Sequence, residues 1–213
     1  MPDPFANARH PSAPRAPAAP EGRQRATGSV KGTLLLARLR FLEGQGKDVA
    51  ERVLKRLPAS DQAVVRGMVL PSGWYPADLL LRLEMTAVAL LASGDRRSLF
   101  VDMGRFSAAT NLGPTGVQRF FLREGDPHVV LRNVPRMYES QHSVGRRSYE
   151  RTSTGSATIR TFDAADPSLE DCLTAVGWLQ HAVELSGGRE VRVVERQCAA
   201  RGAPCCEYEC SWK

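Results

Sequence analysis

Cysteine is absent from the first 171 residues of this 213-residue chain, and all five cysteines fall between positions 172 and 210. The chain also lacks an apolar run of the ~20 residues needed to span a bilayer, since Arg82 and Glu84 interrupt its longest candidate, 79–92. The N-terminus has no apolar segment of the kind found in secretory signals. We therefore predict a cytoplasmic protein without a membrane span, where clustered thiols more often serve metal or redox chemistry than structural disulfides.

Catalytic motifs are also missing. The sequence contains no Gly-x-Ser-x-Gly or Gly-x-Gly-x-x-Gly pattern, and its NLGPTG segment (111–116) lacks the Lys-Ser or Lys-Thr that a phosphate-binding loop requires. These absences argue against an enzyme. The net charge of +6 is spread along the chain, with +2 in residues 1–30, so nucleic acid is not an expected partner.

The composition divides the chain into a tail and one domain. Residues 1–29 carry six Pro, seven Ala and four Arg. A segment of this composition buries too little apolar surface to offset its ordering entropy, so a disordered tail is predicted. Residues 30–213 show regular apolar spacing and are predicted to form a single domain.

Helical spacing dominates the first half of this domain, and strand-like alternation follows. Five helices are predicted between residues 31 and 110, and a sixth over 115–124. A Ser/Thr-rich hairpin is predicted over 148–163, then a long helix capped by Ser168, then a second hairpin at the C-terminus. This order predicts an α+β fold, in which N-terminal helices pack on a mostly antiparallel sheet formed by two C-terminal hairpins flanking a long helix.

The second hairpin contains four of the five cysteines. Its turn brings Cys198 and Cys206 together, and backbone twist or a bulge at Cys198 would be needed to aim Glu195, three residues earlier, to the same side. Cys172 lies in the first turn of the long helix, whose start can cover the end of the hairpin. Three thiolates and a carboxylate suit a tetrahedral zinc ion. The alternatives are small buried side chains in strands, and a redox or disulfide pair.

The spacing of these residues resembles a known domain. The pattern Cys172-x4-Gly177-Trp178, followed by Glu195-x2-Cys198-x3-Gly202-x3-Cys206-x-Tyr208, is similar to the C-terminal half of the four-vinyl-reductase domain. That domain belongs to the TRAPP-like ligand-binding superfamily, which is related to haem-nitric-oxide-binding proteins. In sensor domains of bacterial phenol-responsive activators, a similar pattern holds a structural zinc near an aromatic-ligand pocket.

The resemblance implies zinc ligation by Cys172, Glu195, Cys198 and Cys206, and it offers no counterpart for the other two cysteines. A second resemblance covers Lys31-Gly32 and the LPSGWYP segment (70–76), which are similar to a myxobacterial paralogous family of uncharacterised proteins. This second resemblance implies no function.

A ligand pocket is also predicted, and residues with aromatic rings are the candidates to line it. The candidates are Phe106, Phe120, Phe121, Tyr138, Trp178 and His181. Such residues on helix faces are also ordinary core residues. The chain has no Trp between Gly94 and Cys172, where the activators use one to grip phenol, so phenol sensing is not implied. Neither His128 nor His142 lies in a predicted helix as a haem ligand, so haem is not expected.

Together these observations predict a non-enzymatic sensory or ligand-binding module for a small apolar ligand, with a structural zinc. The helix over 77–92 carries apolar residues on more than one face, so a homodimer is predicted. The alternatives are a dimeric protein-interaction scaffold with a filled core and no ligand, and a tetrapyrrole- or redox-linked accessory protein.

Overall fold

A computed structural model describes residues 28–165 and 167–213, so the predicted tail lies outside the described residues except for Gly28 and Ser29. The described part contains seven α-helices, six strands and two short 3₁₀ turns. The helices are α1 Gly32–Gly44, α2 Lys47–Leu54, α3 Ala59–Arg66, α4 Ala77–Leu91, α5 Arg96–Leu112, α6 Pro127–Gln141 and α7 Leu169–Leu185. The strands are β1 Ser29–Lys31, β2 Trp74–Pro76, β3 Arg146–Ser153, β4 Ser156–Phe162, β5 Arg192–Gln197 and β6 Cys206–Ser211.

The last four strands form one antiparallel sheet in the order β3-β4-β6-β5. Strands β3 and β4 are the first predicted hairpin, β5 and β6 are the second, and α7 connects them. The two hairpins join through β4 and β6, where Ile159 lies opposite Tyr208. The α+β fold with two hairpins flanking a long helix is therefore confirmed. Strands β1 and β2 form a separate two-stranded sheet that the sequence reasoning did not predict.

Two apolar cores lie side by side and share α5. The first is enclosed by α1 to α4 and the start of α5, and the second lies between α6, α7 and the large sheet. Helices α5 and α7 approach closely because glycines face each other's backbone. A Cβ atom at Gly104 would lie 2.0 Å from the Thr174 carbonyl oxygen, and one at Gly177 would lie 2.0 Å from the Val101 oxygen. This contact holds the two halves together.

The segment between α5 and the sheet corrects the sequence prediction. The helix predicted over 115–124 is only the 3₁₀ turn Arg119–Phe121, and the longer helix α6 was missed. The α6 helix begins after Asp126, whose side chain accepts a 3.1 Å hydrogen bond from the His128 backbone N–H. Pro135 lies inside α6. An internal proline normally breaks a helix, so the sequence pattern hid this one, and with it the helical position of His128.

Helix α4 has two apolar faces, as the sequence indicated; one face is packed in a core and the other borders a cleft. Leu79, Leu83 and Val88 are buried in the first core, whereas Leu80 and Leu81 line a cleft described below. No helix in the described ranges is long and apolar enough to cross a bilayer.

Candidate ligand cleft and metal cluster

Three elements converge at the cysteine cluster. Helix α7 starts after its predicted N-cap, Ser168, and places Cys172 in its first turn above the sheet. Strand β5 supplies Glu195, the turn after it supplies Cys198, and β6 begins with Cys206. One ligand atom from each of these four residues lies within 4.8 Å of the others. The structure thus brings together the four residues that the resemblance implied.

A bulge in β5 makes this convergence possible. Glu195 lies opposite Tyr208, whereas Gln197 lies opposite Glu207, so β5 carries one extra residue between these pairs. Residues three apart on a regular strand face opposite sides. The extra residue turns Glu195 and Cys198 to the same side, as the sequence reasoning required.

The sulfur–sulfur distances in the cluster are close to those expected for ligands of one metal ion. The Sγ atom of Cys172 lies 3.7 Å from that of Cys198 and 3.4 Å from that of Cys206. Sulfurs on a tetrahedral zinc ion, with Zn–S near 2.3 Å, are separated by about 3.8 Å. Oε1 of Glu195 is buried without a hydrogen-bond partner in the described part of the chain. The Ala199 backbone N–H donates to Cys206 Sγ at 3.3 Å, which orients that sulfur.

The pKa values of the three thiols in the cluster are shifted in different directions. A hydrogen bond from the Cys172 thiol is the main cause that lowers the pKa of Cys206, to about 6. The same bond, together with burial, raises the pKa of Cys172. Burial also raises the pKa of Cys198. The lowered pKa favours the thiolate at Cys206 rather than at the other two positions, and a metal ion that binds all three sulfurs would displace the remaining protons.

The other two cysteines lie outside the cluster. Cys210 is fully buried on the core face of β6, in line with Cys206 and Tyr208. Cys205 is also buried, immediately before the strand. Neither belongs to the group of side chains whose ligand atoms converge.

A cleft separates the N-terminal helices from the half of the molecule that contains the sheet. Its outer lobe has a volume of about 380 Å³. The walls are largely apolar: Val30 comes from β1, Leu80 and Leu81 from α4, Val144 from the turn after α6, and Pro167 from the segment before α7.

The inner lobe is small, about 80 Å³, and is bordered by a buried ion pair. The Arg38 side chain of α1 donates to Glu84 of α4, to the Met103 carbonyl oxygen at 3.0 Å and to Ser107 Oγ. Both charged side chains are nearly inaccessible, with 6% and 4% exposure. Burial raises the pKa of Glu84, although Arg38 acts in the opposite direction.

A histidine and a tyrosine form the wall between the lobes. The His142 ring stacks on the Tyr138 ring with centroids 3.9 Å apart, and His142 Nδ1 lies 3.1 Å from the Tyr138 carbonyl oxygen. Burial, reinforced by Arg147, lowers the pKa of His142 to about 4. Neutral His142 therefore donates from Nδ1, which leaves Nε2 as a hydrogen-bond acceptor. Burial also raises the pKa of Tyr138 to about 12.

Two of the six predicted pocket residues line this cleft: Tyr138 and Trp178. Phe106 instead packs edge-to-face on Phe41 in the first core, with ring centroids 5.5 Å apart. Its position on α5 is that of an ordinary core residue.

The other three predicted pocket residues lie away from the cleft. Phe120 is 73% exposed in the 3₁₀ turn, and Phe121 packs at the edge of the second core. His181 lies on α7, where its Nδ1 is 2.9 Å from Glu184. Both phenylalanines belong to the segment predicted as a helix over 115–124, which is only a 3₁₀ turn.

His128 is a satisfied core residue. Its Nδ1 lies 2.8 Å from the Tyr149 hydroxyl, and its Nε2 lies 2.9 Å from the Thr154 carbonyl oxygen. Both ring nitrogens are therefore used within the protein.

Sequence reasoning did not assign to the cleft the three charged or ionisable residues, other than Tyr138, that line both of its lobes: Glu84, His142 and Asp171. Glu84 did carry a signal, because it interrupts an apolar helical run. His142 carried none once α6 was overlooked, since it lies at the end of that helix.

A model of the family described as protein of unknown function (DUF2378) matches residues 29–213. No protein with a curated description matches the sequence. The resemblance to four-vinyl-reductase and TRAPP-like domains, and to a myxobacterial paralogous family, stays a prediction.

Solved structures of H-NOX proteins are similar in fold. One from S. oneidensis, in the Fe(II)NO ligation state, matches with a TM-score of 0.62 and 14% identity, covering 86% of this chain and 99% of that chain. An oxygen-binding H-NOX domain related to soluble guanylate cyclases matches with a TM-score of 0.64 and 13% identity, covering 86% and 95%. An unliganded Fe(II) H-NOX mutant from K. algicida gives 0.57 and 13%, covering 86% and 96%. The expected relation to haem-nitric-oxide-binding proteins is confirmed for the fold.

Proposed function

The chain belongs to the DUF2378 family, and we propose that it is a non-enzymatic module that binds a small apolar ligand in the cleft. The outer lobe carries this proposal, because its volume of about 380 Å³ lies within the roughly 300–1,000 Å³ of small-molecule sites. Apolar walls with a few polar groups are also typical of such sites. A scaffold with a filled core would leave no lobe of this size, so the cleft favours ligand binding over that alternative.

The H-NOX proteins of similar fold include one solved to probe the function of heme distortion, but the side chains of this cleft do not fit a haem. The Arg38–Glu84 pair and Trp178 leave an inner lobe of only about 80 Å³, too little for a flat macrocycle. Both ring nitrogens of His128 are bonded within the protein, and His142 lies where the lobes join, beside the ion pair that restricts the inner lobe. Acidic residues such as Asp171 border the cleft and oppose a ligand that carries carboxylates. We therefore assign this chain no haem chemistry.

We infer that the cluster of Cys172, Glu195, Cys198 and Cys206 binds a structural zinc ion. The sulfur spacing supports this inference, and so does the buried Glu195 oxygen, which a cation would pair. Four protein ligands complete a tetrahedron, as in structural zinc sites, and leave no open position for a substrate. Through the shared ion, Cys172 would tie the start of α7 to the second hairpin.

We further propose that the protein works in the cytoplasm, where these thiols stay reduced, and that it forms a homodimer. Reducing conditions preserve thiolate ligands that an oxidising compartment would convert to disulfides. The homodimer rests on the likeness to TRAPP-like domains, which pair through helices, and its test is described in the Discussion.

Binding of a neutral apolar probe tests the ligand-binding proposal. We expect 2-phenylethanol to bind in isothermal titration calorimetry and to change the fluorescence of Trp178, which borders the inner lobe. Replacing Ala77 with Trp places a large side chain in the outer lobe and should weaken binding by roughly tenfold or more. The matched control is Ala63→Trp, on the exposed side of α3. Equal loss in both variants, or no binding by the unmodified protein, would contradict the proposal.

A further inference from the structure

Three hydrogen-bond acceptors meet where the two lobes of the cleft join. Glu84, His142 and Asp171 line both lobes, together with Leu80 and Tyr138. Among the described residues, a hydrogen bond is found for Oε1 of Glu84 but not for Oε2, although the side chain is 4% exposed. Nε2 of His142 and the Asp171 carboxylate also have no hydrogen-bond partner in the described ranges. The junction therefore presents three acceptors without a donor from the described residues, beside one hydroxyl donor, that of Tyr138.

The charges around the outer lobe are unbalanced. Its described lining includes the carboxylates of Asp78, Glu84 and Asp171, and none of its described lining residues is Lys or Arg. Asp78 is paired with Arg82, and Glu84 is paired with Arg38. Asp171 has no ion-pair partner among the described residues. Asp171 is an exposed residue that also lines the cleft, so one uncompensated negative charge lies at its border, where it attracts cations.

The two arginines of the inner lobe are held by other contacts. Arg38 bonds to Glu84, Ser107 and the Met103 carbonyl oxygen. Arg147 donates to Thr161 Oγ1 at 3.1 Å, and its guanidinium packs 4.6 Å from the centre of the Tyr138 ring. The space beside them is about 80 Å³, enough for a small head group but not for a ring system.

From this arrangement we propose that the cleft selects a primary amine with an apolar body, bound as the ammonium ion. The head group lies at the junction and donates its three N–H groups to Asp171, Glu84 Oε2 and His142 Nε2. The apolar body fills the outer lobe against Leu80 and Leu81. This inference rests on the proposed function, since it names the chemical class of the ligand that the same cleft takes.

Three probes of similar size and different charge test the inference. They are 2-phenylethylamine, which is protonated at pH 7 like other alkyl amines, neutral 2-phenylethanol, and anionic 3-phenylpropionate. Isothermal titration calorimetry at low salt should show that the amine binds roughly tenfold or more tightly than the alcohol, because hydrogen bonds to charged groups are the stronger ones. The carboxylate should bind more weakly than both.

Removal of one charge provides the matched comparison. Asp171→Asn should lower the affinity for the amine by roughly tenfold while changing that for the alcohol little. Glu170→Gln is the control, since it removes the neighbouring carboxylate in the same turn of α7, outside the cleft lining. Because Asp171 adjoins Cys172, zinc content is measured in both variants, so that a disturbed cluster is recognised.

The outcomes separate this inference from the proposed function. Equal affinity for amine and alcohol would leave apolar ligand binding standing and overturn the amine assignment. Preference for the carboxylate would also overturn it and would place the head group beside Arg147. If the ratio of amine to alcohol affinity is unchanged in Asp171→Asn, Asp171 does not recognise the amine and the proposed geometry is wrong. Binding of none of the three probes would contradict the proposed function as well.

Discussion

The Sγ atoms of Cys172 and Cys206 lie 3.4 Å apart, although one residue belongs to a helix and the other to a strand 34 positions later. This proximity fixes the start of α7 on the second hairpin. Glu195 and Cys198 complete the cluster from β5 and the turn that follows it. The first prediction concerns the ion that we infer at this point.

Purified protein should contain one zinc ion per chain by elemental analysis, and Cys198→Ser or Cys206→Ser should abolish it. Because metal binding is coupled to folding, each variant should lower the thermal midpoint by roughly 10 °C, which corresponds to about 3 kcal/mol for a chain of this size. Chelation of the unmodified protein should have the same effect. If the purified protein contains no stoichiometric metal and all five thiols titrate as free, the cluster is a group of buried core side chains and not a metal site.

The two remaining cysteines serve as controls for this experiment. Cys205→Ala and Cys210→Ala should keep the metal, since neither residue lies in the cluster. Alanine is the better replacement at 210, because that side chain is fully buried and a serine hydroxyl there would need a hydrogen-bond partner. Metal loss in either alanine variant would show that the ligands are wrongly assigned.

The cluster was predictable because its geometry is mostly local. A hairpin turn fixes the distance between Cys198 and Cys206, and strand alternation fixes the direction of each side chain. Backbone twist or a bulge at Cys198 had to be assumed to turn Glu195 inward, and the structure instead has a bulge between Glu195 and Gln197. The N-cap Ser168 then located the start of α7, and with it Cys172.

The cleft was not predictable because its walls come from distant parts of the chain. Leu80, His142 and Asp171 lie on different helices, or at their ends, and no spacing pattern relates them. Pro135 inside α6 concealed the helix that positions His142. Phe120 was predicted to line the pocket because it is aromatic, but it lies exposed in a turn away from the cleft. Tertiary packing, rather than local preference, decides such positions.

The second prediction concerns haem. Titration of the protein with ferric or ferrous haem should produce no sharpened, shifted Soret band and no stoichiometric retention after gel filtration. The physical reason is that the Arg38–Glu84 pair occupies the space at the inner lobe and that acidic residues border the outer one. An H-NOX protein of known haem content is the positive control. Tight stoichiometric binding with a defined axial-ligand spectrum would contradict our account of the cleft.

The third prediction concerns the buried ion pair. Arg38→Met should reduce the free energy of unfolding by about 3–5 kcal/mol, because it leaves a buried carboxylate at Glu84 without its partner. The double variant Arg38→Met/Glu84→Met should recover most of this loss. Arg66→Met breaks the exposed pair with Glu51, whose side chains are 39% and 49% accessible, and should cost about 1 kcal/mol or less. Urea unfolding measures all three, and equal losses at Arg38 and Arg66 would contradict the prediction.

The fourth prediction concerns association. Sedimentation at micromolar concentration should show a dimer rather than a 23.3 kDa monomer. One apolar face of α4 is buried in the first core and the other lines the cleft, so we expect the contact to use Met68, Leu70 and Trp74, which are 86%, 51% and 48% exposed. Large exposed apolar groups that lie together mark interaction sites. Leu70→Asp should therefore yield monomers, whereas Val117→Asp, on another exposed turn, should not. A monomer at high concentration would contradict the homodimer.

The final prediction concerns pH and His142. Its pKa is lowered from an ordinary value of 6.5 to about 4 in the folded protein. Between these values the unfolded chain takes up a proton that the folded chain does not, so stability falls as the pH decreases from about 6.5 to 4. Burial is the first cause, and Arg147 adds to it, whereas Asp171 acts in the opposite direction.

Replacement of His142 by Gln removes this proton uptake while keeping a polar side chain at the junction. Urea unfolding at pH 7, 6, 5 and 4.5 should show a steeper loss of stability for the unmodified protein than for His142→Gln, by up to about 3 kcal/mol over the whole range. Carboxylates contribute to the pH dependence of both proteins, so the difference between the two curves isolates the histidine. Parallel curves would mean that His142 is protonated as readily in the folded state as in the unfolded state, and that the junction does not present its Nε2 as an acceptor.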